Sequence, residues 1–247
     1  MEGIFLKVLD QSIKGSYVIL MILLLRLFLR MAPKKYSYAL WAAAGFRLVM
    51  PVSLKVPCSL FPEGTSPRFI PADISYQAVP EIRSGLKALD SAVNQVLPAG
   101  VPEASVNPLQ LWTAVSAGIW LLGLFIIVIW NLKRCLDLKK ELAPAVAISE
   151  EVLEHPGLSA AFGFGIRTPR IYLPAGLGTE ERVLILHHER VHIQRKDPII
   201  KLTGFLIVTL HWFNPLVWLA FRMMTADMEA SCDETLLEEL GDTVKKS

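Results

Sequence analysis

His188, Glu189 and His192 stand in the order H-E-x-x-H, inside the run His187-His188-Glu189-Arg190-Val191-His192. On a helix, side chains at i and i+4 lie one above the other, so two imidazoles at that spacing can grip one metal ion. The glutamate after the first histidine is turned about 100° round the helix and can reach a water in an open coordination position. Two nitrogen ligands, a carboxylate base and a vacant position are what metal-assisted hydrolysis uses. His187 does not share the role, because Val191 stands four residues after it.

Such a site needs a third ligand. Glu229 and Asp233 form E-x-x-x-D about 37 residues beyond His192. Glu229 would complete a His-His-Glu set for Zn2+. Asp233, one helical turn on, could accept the free ring N–H of a ligand histidine and fix its tautomer. A surface histidine pair beside an unrelated acidic patch would explain either motif alone, but both motifs fall on segments that read as helices. Two further residues have alternative readings. His211 is an extra electrophile for the transition state or a hydrogen-bonded core histidine. Cys232 is a soft ligand or a small buried thiol.

The elements that position these groups are marked by their ends. Thr179 is placed to cap the metal helix, Glu180 and Glu181 suit its positive end, and Pro198 closes it. Residues 199–221 are apolar except for Lys201, His211 and Asn214. Asn214-Pro215 breaks the run, with asparagine as cap and proline at the first helical position. Two helices are expected to meet there and to bury apolar faces against the metal helix or partly in a bilayer. The second should run to about Leu240 and stop at Gly241. Residues 161–174, AFGFGIRTPRIYLP, read as a short hairpin around Thr168-Pro169. An edge strand there would either take an extended substrate by β-addition or only cover the core.

Composition sets the environment. Of 247 residues 53% are hydrophobic and only 19% charged, and the mean hydropathy is +0.43, high for a soluble enzyme. A net charge of +2 argues against direct binding of nucleic acid. Cys58, Cys135 and Cys232 are odd in number and scattered, so no disulfide framework is implied. No cleavable signal peptide stands out. A membrane protein with a polar part is expected.

Three spans are expected: residues 12–30, 38–54 (weakened by Arg47 and Pro51) and 109–130. Basic clusters follow the first (Arg26, Arg30, Lys34, Lys35) and the third (Lys133, Arg134, Lys139, Lys140), which puts both on the cytoplasmic side. The chain then divides into paired spans at 1–55, an extracytoplasmic loop at 56–108, a third span at 109–132 and a cytoplasmic-side metallopeptidase domain at 133–247, partly embedded in the membrane. Within the loop, Ile82, Leu86, Leu89, Val93 and Val96 have helical spacing and suit a short helix on the membrane surface. Arg47 at membrane depth needs a partner or a polar surface. Asp10, at the outer end of the first span, is the expected partner.

With HHERVH, HWFNPLVW and MEASCDE in this order, the chain resembles the membrane metallopeptidases of the beta-lactam-sensor antirepressor family over nearly its whole length. The resemblance implies zinc ligands at His188, His192 and Glu229 and a catalytic glutamate at Glu189. It also implies cytoplasmic proteolysis that relieves a transcriptional repressor, with self-cleavage as part of activation. Well-known members continue into a fourth span and an extracellular penicillin-binding sensor domain. This sequence ends at Ser247, so covalent capture of a beta-lactam by that route is not expected of it and the inducer is left open.

The fold expected is mainly α. It is a multi-pass protein of the bacterial plasma membrane, with three N-terminal spans before a gluzincin-like α+β metallopeptidase domain that carries a small hairpin or sheet. The function expected is a zinc endopeptidase that cleaves a cytoplasmic repressor or itself. The alternative is a signalling scaffold with a metal site and little activity, and a transporter is disfavoured by spans without a chain of ionisable groups. The partners expected are the protein substrate and the lipid bilayer, and a homodimer could form.

Overall fold

The computed structural model describes residues 1–50, 69–71, 73–84, 86–99, 107–165 and 167–246, with side chains as far as Glu239. The end of the expected second span (51–54), most of the early outer loop and Cys58 lie outside the described residues.

Among the described residues seven α-helices and a small sheet follow in order. Helix α1 (Glu2–Phe28) runs through a 3-10 turn at Leu29–Met31 into α2 (Lys34–Val49). After the short α3 (Lys87–Val96) comes α4 (Pro108–Glu141), whose N-terminus carries proline in its first turn. The expected polar helical stretch after the third span is the continuation of α4.

Among the described residues two helices are long and apolar enough to cross a membrane, Glu2–Met31 with 30 residues and Pro108–Glu141 with 34. This corrects the expectation of three spans. Helix α2 has 16 residues, about 24 Å at 1.5 Å per residue, short of a hydrocarbon core of about 30 Å. The amphipathic helix is also shorter than its spacing suggested. Ile82 and Leu86 precede it, and Asn94 on α3 bonds back to both the amide and the carbonyl of Ile82.

The Asp10–Arg47 pair does not form. Asp10 takes Lys14 at 2.6 Å and the amide of Phe69 at 2.8 Å. Arg47 donates instead to Gln11, at 3.2 Å, and to its own helix end at Met50 O. The lysine one turn along α1 is nearer to Asp10 than the arginine on the neighbouring helix. A local partner won over the distant one.

Strands β1 (Val146–Ala147), β2 (Val152–His155), β3 (Phe162–Phe164) and β4 (Arg170–Pro174) form one sheet in the order β1-β2-β4-β3. The β3–β4 hairpin is the one expected, with Phe162 opposite Tyr172. Strand β2, not anticipated, pairs parallel to β4. Val152, Ile171 and Leu173 bury the sheet against Ile185, Leu186 and Ile193 of α5 (Thr179–Gln194).

Helix α6 (Asp197–Leu210) and helix α7 (Pro215–Lys246) meet at Asn214. Asn214 Oδ1 accepts the Leu216 amide, the expected cap, and its Nδ2 donates to Ser12 Oγ and Ser16 Oγ of α1. The two arms bury their apolar faces mainly against α1 and α2. Ile19, Ile22, Trp41, Leu48, Val208 and Val217 lie in one core. Helix α7 continues through Gly241 to Lys246, because one glycine costs a helix only about 1 kcal/mol.

Leu6 packs with Ile70 of the loop and Leu109 of α4 at one end of α1. Arg26, twenty residues and about 30 Å further on, pairs with Asp227 of α7 at 2.5 Å. The loop and the residues around Glu229 therefore occupy opposite ends of the bundle.

Candidate metal centre

Helix α5 presents His188 and His192 one turn apart. Its cap is Gly178, without a side-chain bond, and Thr179 is the first helical residue rather than the cap. Because both rings lie on one face, their Nε2 atoms come within 3.1 Å of each other. Helix α7 brings Glu229 to the same point. Its Oε2 lies 3.1 Å from His192 Nε2 and 3.9 Å from His188 Nε2. Three donor atoms thus converge from two helices.

The outer sides of the rings are held as well. His192 Nδ1 lies 2.8 Å from Asp197 Oδ2, a carboxylate only 1% exposed. His188 Nδ1 faces Asp233 Oδ1 at 3.4 Å and Cys232 Sγ at 3.9 Å. Asp233 therefore stands beside His188, one of the two histidines of the pair. Asp197 was missed, since reading Pro198 as a helix stop passed over the acidic residue before it. Helix α5 ends at Gln194, and Lys196 adopts the left-handed conformation (φ 59°) that turns the chain back. Lys201 was also missed as part of the site. It donates to Glu229 Oε1 at 2.9 Å, and the signal for it was an isolated lysine in an otherwise apolar helix.

The charges agree with a place for a cation. Hydrogen bonds to Asp197 and then to Glu229 raise the His192 pKa to about 9, against the opposing effect of burial. The bond from His192, with Lys201 helping, lowers the Glu229 pKa to about 2.

His188, His192 and Cys232 also have donor atoms within 4.8 Å of one another. Cys232, however, is fully buried, and burial pushes its thiol up to about 12. It sits beside Nδ1 of His188, away from the nitrogens that meet, and its sulfur donates to the His188 carbonyl at 3.7 Å. The sulfur thus lies on the outer side of the His188 ring, bonded to the helix that carries it.

Glu189 lies on α5 beside strand β3, where a methyl group in place of the Gly163 hydrogen would stand 3.7 Å from its Oε2. His187 points elsewhere and pairs with Glu239 at 2.6 Å. His211 is not at the centre. It is buried at the far end of α6, about 20 Å from Asp197 along the helix, with Nδ1 on the Ile207 carbonyl. That excludes it as an electrophile and leaves the core reading.

Residues 6–247 match the family described as BlaR1 peptidase M56. The chain belongs to that family. It is similar to the regulatory protein BlaR1 of Bacillus licheniformis, 31% identical over 115 residues, a match covering 44% of this chain and 19% of that protein. The family consists of membrane-associated metallopeptidases in signal transduction, in the regulation of antibiotic resistance. Together with the two long apolar helices, membership makes this a membrane protein.

Proposed function

We propose that this chain is a multi-pass membrane zinc endopeptidase of gluzincin type, with His188, His192 and Glu229 as ligands and Glu189 as general base. The observation that carries it is the meeting of two imidazole Nε2 atoms and one carboxylate oxygen at 3.1–3.9 Å. Separations of about 3.3 Å are what three ligands at about 2.0–2.1 Å impose in a tetrahedral site. The donor set of two imidazoles and one carboxylate leaves a position open for water, as catalytic zinc sites do.

Zinc held there would supply Lewis acidity, lowering the pKa of a water to about 7 and polarising a carbonyl. The rest falls to the chain. Glu189 takes a proton on its carboxylate and returns it to the departing amine. Asp197 holds His192 in the tautomer with its proton on Nδ1. Lys201 holds Glu229 ionised. Among the described residues strand β3 pairs only with β4, and its other edge, beside Glu189, suits an extended peptide.

The substrate class is a cytoplasmic protein, a transcriptional repressor, with self-cleavage as a second event. The basic clusters after α1 and within α4 favour a cytoplasmic centre, and the outer loop lies at the other end of the bundle. The test is zinc content and cleavage of candidate repressors by purified protein, with Glu189→Gln as control. Labelling of single cysteines from outside should reach residues 73–99 and miss Glu150. The reverse pattern overturns the cytoplasmic substrate.

A further inference from the structure

Helix α2 turns a polar stripe toward the elements of the metal centre. Tyr38 and Trp41 fall at i and i+3 on one face, and Lys34 opens the helix with a main-chain amide free of helical bonds. The Lys34 amide donates to Glu234 Oε2 at 2.6 Å, the Tyr38 hydroxyl to Asp197 Oδ1 at 3.1 Å and the Trp41 indole to Asp227 Oδ2 at 2.8 Å. Only the middle bond reaches a group that touches a ring of the junction. Asp197 is almost without solvent, and its two oxygens are divided: Oδ1 takes Tyr38, and Oδ2 takes His192 Nδ1. Arg195 adds its Nε at 3.6 Å from Oδ2 and lays its guanidinium over the Tyr38 ring at 5.3 Å. A buried carboxylate with one oxygen unpinned can swing about its own bond and carry the imidazole with it. Tyr38 removes that freedom.

We propose that Tyr38 is a positioning residue of the metal centre: by fixing Asp197 it fixes the orientation of His192, so that the seating of α2 sets the affinity for the ion. The proposal rests on the reading of His188, His192 and Glu229 as ligands. Its consequence is mechanical. Tyr38 lies on an element distant in sequence from the ligands, and α2 shares one core with α1, α6 and α7. A displacement of about 1 Å that draws Tyr38 away from Asp197 along the 3.1 Å bond takes it beyond hydrogen-bond range. A motion of α2 is thereby read at His192 without any contact between α2 and the ion.

The experiment is zinc binding to the full chain in detergent, with dissociation constants from competition with a chromophoric chelator. Tyr38→Phe keeps the ring under Arg195 and loses only the hydroxyl. It should weaken zinc about tenfold or more and shift the visible bands of the cobalt-loaded protein. Trp41→Phe removes a bond from the same helix face and should stay within about twofold, inside additivity error. In the Asp197→Asn background, Tyr38→Phe should add less than about twofold. Unchanged affinity in Tyr38→Phe overturns the proposal, as does an equal loss in Trp41→Phe, which would mean general loosening. Fully multiplicative losses with Asp197→Asn overturn it too. A wild-type chain that binds no zinc overturns the ligand reading itself.

Discussion

Asp197 Oδ2 lies 2.8 Å from His192 Nδ1 across the left-handed turn at Lys196. In an unbroken helix a residue five positions on would be turned about 140° away from the histidine. The end of α5 at Gln194 and the reversal at Lys196 bring it back. Asp197→Ala should weaken zinc binding about 10–100-fold, measured by chelator competition. Affinity equal to wild type would remove Asp197 from the site.

Glu189→Gln should keep the metal and lose cleavage, because it removes a base without removing a ligand. The expected loss is about 10²–10⁴-fold in turnover, with zinc content unchanged by metal analysis. A variant that loses zinc would make Glu189 a ligand instead.

His192→Ala and Glu229→Gln should each reduce bound zinc to well below one ion per chain, whereas Cys232→Ser should retain it. The contrast decides between the two candidate third ligands. Full zinc in Glu229→Gln together with loss in Cys232→Ser would reverse the assignment.

Zinc affinity should depend on pH in a set direction. The His192 pKa is raised to about 9, above its ordinary value of about 6.5, so at pH 7 a proton must leave before the metal binds. Affinity should rise about tenfold per pH unit from 7 to 9 and level off above. Glu229, held down to about 2, does not titrate in that window. In the metal-free protein the His192 contribution to folding runs the other way. It is fully present below about 6.5 and is lost as pH rises through about 9. A plateau of zinc affinity already at pH 7 would contradict the raised histidine.

Two glycines of α4 should respond oppositely to alanine. At Gly123 a methyl group would run into the Trp212 indole, which is tied to the Trp120 carbonyl at 3.2 Å. Gly123→Ala should cost about 1–3 kcal/mol and lower the melting temperature in detergent. Gly118 faces open space, so Gly118→Ala should leave the melting temperature unchanged or raise it, by helix propensity.

What could be read without the structure was whatever the backbone period places by itself. The i, i+4 spacing puts His188 and His192 on one face of any helix they occupy, and E-x-x-x-D does the same for Glu229 and Asp233. Asn214-Pro215 breaks a helix, and the β-forming residues around Thr168-Pro169 make a hairpin, for reasons confined to a few neighbours. The tertiary structure decided everything that depends on which distant surfaces meet. It chose Lys14 over Arg47 as the partner of Asp10, and it laid β2 beside β4. It carried His211 to the far end of α6 from the junction. It also assembled Tyr38, Asp197 and Lys201 around the two motifs from α2 and α6. Asp197 and Lys201 are a helical turn apart on α6, but no period links them to Tyr38 or to the two motifs. Only the burial of the α6 and α7 arms against α1 and α2 brings them within a hydrogen bond of one another.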